Sequence, residues 1–377
     1  MFDLDELPEL RARIRAQVES DRTLLDDVLD AVRPLGAQVR TIRPRAATSV
    51  AVVAADGGNN MVAFNPFYLQ IVRVVDSKGR QLCLDVVSPS TDTGELTARQ
   101  FAVDGTPVTA LGRLMHALGV RGLHELSPMI PLKDKSPSWV QVYRDLCEWA
   151  TLFDLVLHTR FASDTLIVRD GLLRSKVFAR DLFVRMYRMM REKMESIRRE
   201  ELRNVWVVGI AKRTQALEYF RLGLSLARVL ETGSPCFVPV PYGMQRQAYK
   251  WEEYIRSPDD IAGGGEDPKF NAGSMHFVRF GSRTGDPVWT VDVLHHQAGD
   301  AQQIFGYLLA DAVDGFPVPF YPLSLQQADR HSRVADLDLD MIEDSLVESI
   351  RDVVGRELAP LIDGLRLSSD VAARRYG

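Results

Sequence analysis

Two apolar runs, each closing on Asp-Gly, constrain this chain more than any other feature. They are Ser49-Val-Ala-Val-Val-Ala-Ala-Asp-Gly-Gly58 and Thr165-Leu-Ile-Val-Arg-Asp-Gly-Leu-Leu173. Runs of β-branched and small apolar residues predict strands buried on both faces. Strands of that kind need a covering layer on each side, as α/β folds provide. Each run ends on a carboxylate, Asp56 or Asp170. A charge at a buried strand tip is costly to desolvate unless something cationic meets it. The glycine that follows permits a tight turn and close backbone approach. Asp-Gly is also ordinary turn chemistry, so either copy alone is more often a turn than a site. Two copies, in the right order among other elements, are able to hold a divalent metal between them.

The elements around them have a recognisable order. Residues 3–34 read as an amphipathic helix, with Leu4, Leu7, Leu10, Ile14 and Val18 at helical spacing and Pro34 and Gly36 ending it. Strands are predicted at about 48–56, 61–75 and 81–87, with Asp76-Ser-Lys-Gly79 as a hairpin turn. Helices are expected near 94–118 and 137–160, then a strand at 164–169, a long basic helix at 176–203, a strand at 204–210 and a helix at 214–231. Three strands, helix, strand, helix, strand, helix is the element order of an RNase H-like α/β domain with a mixed sheet flanked by helices. Beyond it, Tyr249 to Ser274 reads as a long loop. A hairpin follows at about 275–294, and helices at about 299–313 and 337–366 are separated by the Pro-rich segment 315–322.

Composition narrows the function classes. No signal-peptide pattern opens the chain and no apolar run approaches membrane-spanning length, so the expectation is a cytoplasmic protein without a membrane partner. Cys83, Cys147 and Cys236 are odd in number and far apart, and fit neither a disulfide framework nor a Cys-based zinc site. There is no Walker A loop, which argues against ATP hydrolysis by this chain. Net charge is −5, yet 169–213 carries 13 Lys/Arg against 6 Asp/Glu. That segment is either a solvated helix face or a surface for phosphate.

Phosphodiester hydrolysis needs an activated water and a stabilised leaving oxygen, which two hard cations about 3.5–4 Å apart supply. Mn²⁺ and Mg²⁺ take oxygen ligands, so several carboxylates must converge. In the RNase H arrangement these come from the first strand, the first long helix, the fourth strand and a late helix. Asp56 and Asp170 occupy the strand positions and Glu148 the helix, with Asp145 and Asp154 as rival acids on that helix. His295-His296 looks like a metal pair, but neighbours in a strand face opposite sides. Trp149 and Trp206 read as core.

These residues resemble the NurA nuclease family, DNA-end-processing nucleases of archaea and bacteria, over about 48–331. The similar segments are Val53-Ala-Ala-Asp-Gly-Gly58, with Gly58 where the family has Ser; the helical Glu148; Ile167-Val-Arg-Asp-Gly-Leu-Leu173; Val207-Val-Gly-Ile-Ala-Lys-Arg-Thr214; His276-Phe-Val-Arg279; and Gly315-Phe-Pro-Val-Pro-Phe-Tyr-Pro-Leu-Ser-Leu-Gln-Gln-Ala-Asp-Arg-His331. The resemblance implies one nuclease domain: a helical arm at 1–45, an RNase H-like core at 46–235, a hairpin, loop and late site helix at 236–335, and a C-terminal helix at 336–377. It implies Mn²⁺- or Mg²⁺-dependent DNA hydrolysis with two ions, a homodimer, and a HerA-type hexameric ATPase as partner. Asp56, Glu148 and Asp170 take metal-ligand roles, and Lys212 and Arg279 read either as cations that meet DNA phosphate or as solvated side chains. Tyr321 matches the family's Tyr, with Phe316 as the other candidate. Where the family has Ala-His the chain reads Ala328-Asp329, with His331 two residues on. On a helix those two point about 200° apart, so either Asp329 or His331 completes the site. The altered motifs leave a second reading, a catalytically weakened, DNA-binding assembly subunit of the ATPase complex, and an RNase H-like fold leaves a third, an enzyme acting on RNA or hybrid substrates.

Overall fold

The computed structural model describes residues 7–45, 51–64, 67–130, 138–249, 271–332, 336–355 and 360; the side chains of 51, 55–64, 67–68 and 336–340 lie outside that description. Its strands are β1 (Arg40–Thr41), β2 (Ala51–Phe64), β3 (Phe67–Asp76), β4 (Gln81–Val87), β5 (Thr165–Asp170), β6 (Val205–Ala211), β7 (Cys236–Pro239), β8 (Gly273–Arg279) and β9 (Val288–Leu294). Among the described residues they form one sheet in the order β1-β7-β8-β9-β6-β5-β2-β3-β4. The sheet is mixed: β2 with β5 and β5 with β6 are parallel, and the other pairs are antiparallel.

The helices are α1 (Leu7–Ser20), α2 (Arg22–Val32), α3 (Thr93–Ala98), α4 (Ala110–Leu118), α5 (Leu123–Leu126), α6 (Trp139–His158), α7 (Leu182–Glu200), α8 (Gln215–Leu226), α9 (Tyr242–Ala248), α10 (Ala301–Ala312), α11 (Leu323–Ser332) and α12 (Asp336–Val354). They cover both faces of the sheet, and strand alternation decides which residues each layer receives. In β6, Val205 and Val207 join the core under α4, α6 and α7, while Trp206, Val208 and Ile210 join the core under α10 and α11. Further along the sheet, Cys236, Val238, Met275 and Phe277 pack under α2, α8 and α9. Trp149 and Trp206 are both buried. Leu346, Val347 and Ile350 seat α12 against Leu69 of β3.

Local chemistry places the element ends. Thr109 caps α4 through Gly112 N at 2.9 Å, and Gly119 ends that helix with φ 71°. Asp76 Oδ1 accepts from the amides of Lys78 and Arg80, each at 2.9 Å, and closes the β3–β4 hairpin as expected.

The structure corrects several sequence expectations. The first helix is two helices, parted at Asp21, and a 3-10 turn containing Pro34 follows. The helix expected at 94–118 is also two, α3 and α4, parted by an Asp104-Gly105 turn in which Asp104 accepts from Thr106 N. Most consequentially, β2 does not stop at Asp56. It runs on through Gly57 and Gly58, which pair with Val74 and Arg73 of β3. The Gly-Gly-Asn-Asn stretch imitates a turn, but a long partner strand supplies its backbone hydrogen bonds. The expected loop after Tyr249 falls largely on 250–270, outside the described residues.

Candidate functional site

The end of β5 fixes the first site residue. Ala55 is the last residue of β2 to pair with β5, opposite Arg169, so Asp56 and Asp170 follow at the same level on adjacent parallel strands. Asp170 still pairs with Ile210 of β6. Gly171 leaves the strand at φ 101°, and a Cβ there would lie 2.6 Å from Arg169 Nη1. The positive φ is what favours glycine at this strand end, and a side chain there would also displace the Arg169 guanidinium. The side chain of Asp56 lies outside the described residues, so the contacts below concern its neighbours.

Lys212 follows β6 directly, held between that strand and the cap of α8. Thr214 Oγ1 accepts from Leu217 N at 3.1 Å and shares a hydrogen bond with Thr290 Oγ1 at 2.8 Å. From that position Lys212 Nζ lies 3.2 Å from Asp170 Oδ2 and 3.7 Å from Asp329 Oδ1. Asp329 sits on α11, which packs on the same face. The Tyr321 hydroxyl donates to Asp170 Oδ1 at 3.1 Å, and its ring packs against Trp289, tilted by 60° with centroids 4.8 Å apart. Tyr321 is fully buried, whereas Phe316 is 80% exposed, so Tyr321 is the aromatic that reaches the strand end.

Sequence reasoning missed the residue that builds this segment. Gln326 on α11 takes Val318 N on its Oε1 at 2.9 Å and donates Nε2 to Val318 O at 3.0 Å and Tyr321 O at 2.9 Å. Prolines 317, 319 and 322 interrupt backbone pairing here, so a buried amide satisfies what a strand or helix otherwise would. A buried-face Gln on a helix beside a Pro-rich run was the available signal.

Asp170, Lys212, Tyr321 and Asp329 are thus brought together. His331 is not: its ring lies 3.4 Å from the Cβ position of Gly79, at the β3–β4 hairpin. Glu148 faces the other side of the sheet. It accepts from Arg169 Nη2 at 3.0 Å and pairs with Arg144 at 3.3 Å. Arg169 also bonds Asp145 at 2.8 Å and lies over Trp149. Asp154 is drawn away to Arg113 Nη2 and His158 Nδ1, both at 2.8 Å. His295 and His296 lie in a 3-10 turn; His295 contacts Ser274 and Asn271, whereas His296 meets Tyr187.

Arg279 ends β8, level by register with the chain just past β6, so it stands at the same sheet edge as Lys212. It is 2% exposed, and its Nε has no hydrogen-bond partner among the described residues. A buried guanidinium in that state is costly, and an anion would offset the cost. On α7, Arg185 and Arg188 are exposed while Arg191 is paired with Glu195 at 2.7 Å.

The donor set suits a hard cation. Asp170 and Asp329 offer carboxylate oxygens, and the Lys212 ammonium standing between them shows where positive charge is favoured. Among the described residues no group of three or more His, Cys, Asp or Glu side chains lies close enough to hold a metal ion. Nor is any described helix long and apolar enough to cross a membrane.

No protein-family model matches the chain, and no curated protein does. Among solved structures, it is similar to the NurA nuclease from Sulfolobus solfataricus at 14% identity, over 94% of this chain and 99% of that one, with a TM-score of 0.47. It is also similar to NurA bound to dAMP and manganese at 9% identity, over 89% of this chain and 94% of that one, with a TM-score of 0.39. A third, NurA with manganese, shares 10% identity over 89% of this chain and 98% of that one, with a TM-score of 0.40. At this identity and overlap the likenesses carry no function across.

Proposed function

We propose that the chain is a metal-dependent DNA nuclease that hydrolyses phosphodiester bonds. The observation that carries this is the meeting of Asp170, Asp329, Tyr321 and Lys212 at the end of the central parallel strands. In this reading the ligands are Asp56, Asp170 and Asp329. Glu148, held by Arg169 on the other face, would have to leave that guanidinium and reach round the strand end to join them. The strand order β4-β3-β2-β5-β6, three antiparallel strands continued by two parallel ones, supports an RNase H-like core.

Manganese or magnesium, two ions in this reading, would supply the Lewis acidity that activates water and stabilises the leaving 3′ oxygen. The chain's own residues do the rest. Tyr321 holds one oxygen of Asp170 and so orients the carboxylate. Lys212 balances the charge of Asp170 and Asp329, and turns to a phosphate oxygen when DNA arrives. Arg279 at that edge and the exposed arginines of α7 add positive charge that favours a polyanion. A homodimer and docking on a HerA-type hexameric ATPase at DNA ends belong to this proposal. The sequence motifs support them, as does α1, which buries no residue and leaves Ile14 and Val18 uncovered.

The test is cleavage of linear DNA with Mn²⁺ or Mg²⁺, beside EDTA, for the wild-type chain and Asp170→Asn. Loss of cleavage in both the chelated protein and the variant supports the reading. Wild-type rates in Asp170→Asn would sink it, and failure of the wild-type chain under every metal would favour the DNA-binding assembly subunit. Competition with RNA and hybrid duplexes settles the substrate class.

A further inference from the structure

Cys83 and Cys147 are 64 residues apart in sequence, and the packing of α6 on β4 brings them together. The Tyr143 hydroxyl donates to Asp85 Oδ2 at 2.7 Å, which pins the helix along the edge strand. Cys147 follows Tyr143 by four residues, on the same helix face. Cys83 precedes Asp85 by two, on the same strand face. One helical turn advances about 5.4 Å and two strand residues about 6.7 Å, so pinning the first pair brings the second into register. The two thiols lie close enough to act on each other, Cys147 lowering the pKa of Cys83 and Cys83 raising that of Cys147. Cys147 is buried in the core and Cys83 packs against that core from the partly exposed edge. Cys236 belongs to a different core and donates to Leu230 O at 3.4 Å.

We infer that Cys83 and Cys147 are a redox pair, which a hydroperoxide closes into a disulfide between β4 and α6. The more exposed Cys83 reacts first. Its sulfur attacks one peroxide oxygen, the O–O bond breaks, and Cys83 becomes a sulfenic acid as the other oxygen leaves as water or alcohol. Cys147 then attacks the Cys83 sulfur, the S–O bond breaks, and water leaves. Two thiols lose two electrons and two protons, and the peroxide is reduced. A dithiol reductant reverses the change. The inference does not depend on nuclease activity.

The test uses the full chain with and without hydrogen peroxide, denatured and alkylated with N-ethylmaleimide. Peroxide should remove two of the three alkylatable thiols, and a tryptic map should show a Cys83–Cys147 cross-linked peptide that dithiothreitol abolishes. In Cys147→Ser the cross-link should vanish and dimedone should label Cys83. Should that variant fail to fold, the wild-type map still decides. Three alkylated thiols after peroxide, or a cross-link through Cys236 or between chains, would overturn the inference.

Discussion

The Tyr321 hydroxyl donates to Asp170 Oδ1 while Lys212 holds Oδ2, so both oxygens of one strand-end carboxylate are fixed before any ligand arrives. Tyr321→Phe keeps the buried ring and its contact with Trp289 and removes the donor alone. A hydrogen bond to a charged group contributes about 1.5–3 kcal/mol. The expected result is a fold as stable as the parent to within about 2 kcal/mol and nuclease turnover reduced roughly 10-fold or more. Unchanged turnover in Tyr321→Phe would remove Tyr321 from the site.

Lys212 lies between two carboxylates, and its removal separates two roles. Lys212→Gln deletes the ammonium, whose Nζ lies 5.3 Å from the Tyr321 ring centroid, and keeps part of the aliphatic stem. If the ammonium meets phosphate, DNA affinity should weaken across all sequences and the slope of log K against log salt should shrink by about 1. Metal affinity should not fall, because a cation competing for Asp170 and Asp329 has gone. A Lys212→Gln chain with the parental salt slope would assign the lysine to charge balance alone.

Much of this architecture is legible in the sequence where its cause is local. β4 matches its predicted span, and β5, β6 and α6 fall within a residue or two, because period-2 or period-3.6 patterns run unbroken between strong breakers. β1 and β7 were not legible. They are two and four residues long, and pairing with each other and with β8 makes them strands. The same divide runs through the site. Asp170 and Lys212 follow from strand ends, but the burial of Tyr321 rather than Phe316 depends on how Gln326 folds the Pro-rich segment. The capture of Glu148 by Arg169 depends on which sheet face α6 covers, which no spacing in α6 reveals.

Histidine burial should make the fold lose stability as the pH falls below about 6.5. His276 lies between Phe237 and Phe305, with centroids 5.9 and 5.1 Å away, and burial lowers its pKa from 6.5 to about 4. Burial likewise lowers that of His296 to about 4. Between 6.5 and 4 the unfolded chain binds the extra protons, so stability is full above that window and falls as pH drops through it. For His276 the loss is on the order of 3 kcal/mol at the lower limit. Urea midpoints taken from about pH 7 down to about pH 5 should fall for the parent and fall less for His276→Phe. Parallel curves for the two proteins would show that His276 is not the group.

The chain leaving Asp170 is anchored by an ion pair with no exposed side-chain surface. Arg174 Nε and Nη2 donate to the two oxygens of Asp292 at 2.8 and 3.0 Å, Nη1 donates to Gln245 at 2.8 Å, and Asp292 also accepts from Leu173 N at 3.1 Å. Breaking such a pair from one side leaves a buried guanidinium without its counter-charge, a loss of about 3–5 kcal/mol. Asp292→Asn is therefore expected to lower the urea midpoint sharply. It should also loosen the segment 171–174, which a Cβ at Gly209 would strike at Gly171 O. Because that segment starts at the site, turnover per folded molecule should fall as well. Replacing the pair together, as Arg174→Met with Asp292→Leu, removes the orphaned charge and should recover part of the stability without recovering turnover. Recovery of both would mean that the pair serves stability alone and that the path of 171–174 does not govern Asp170.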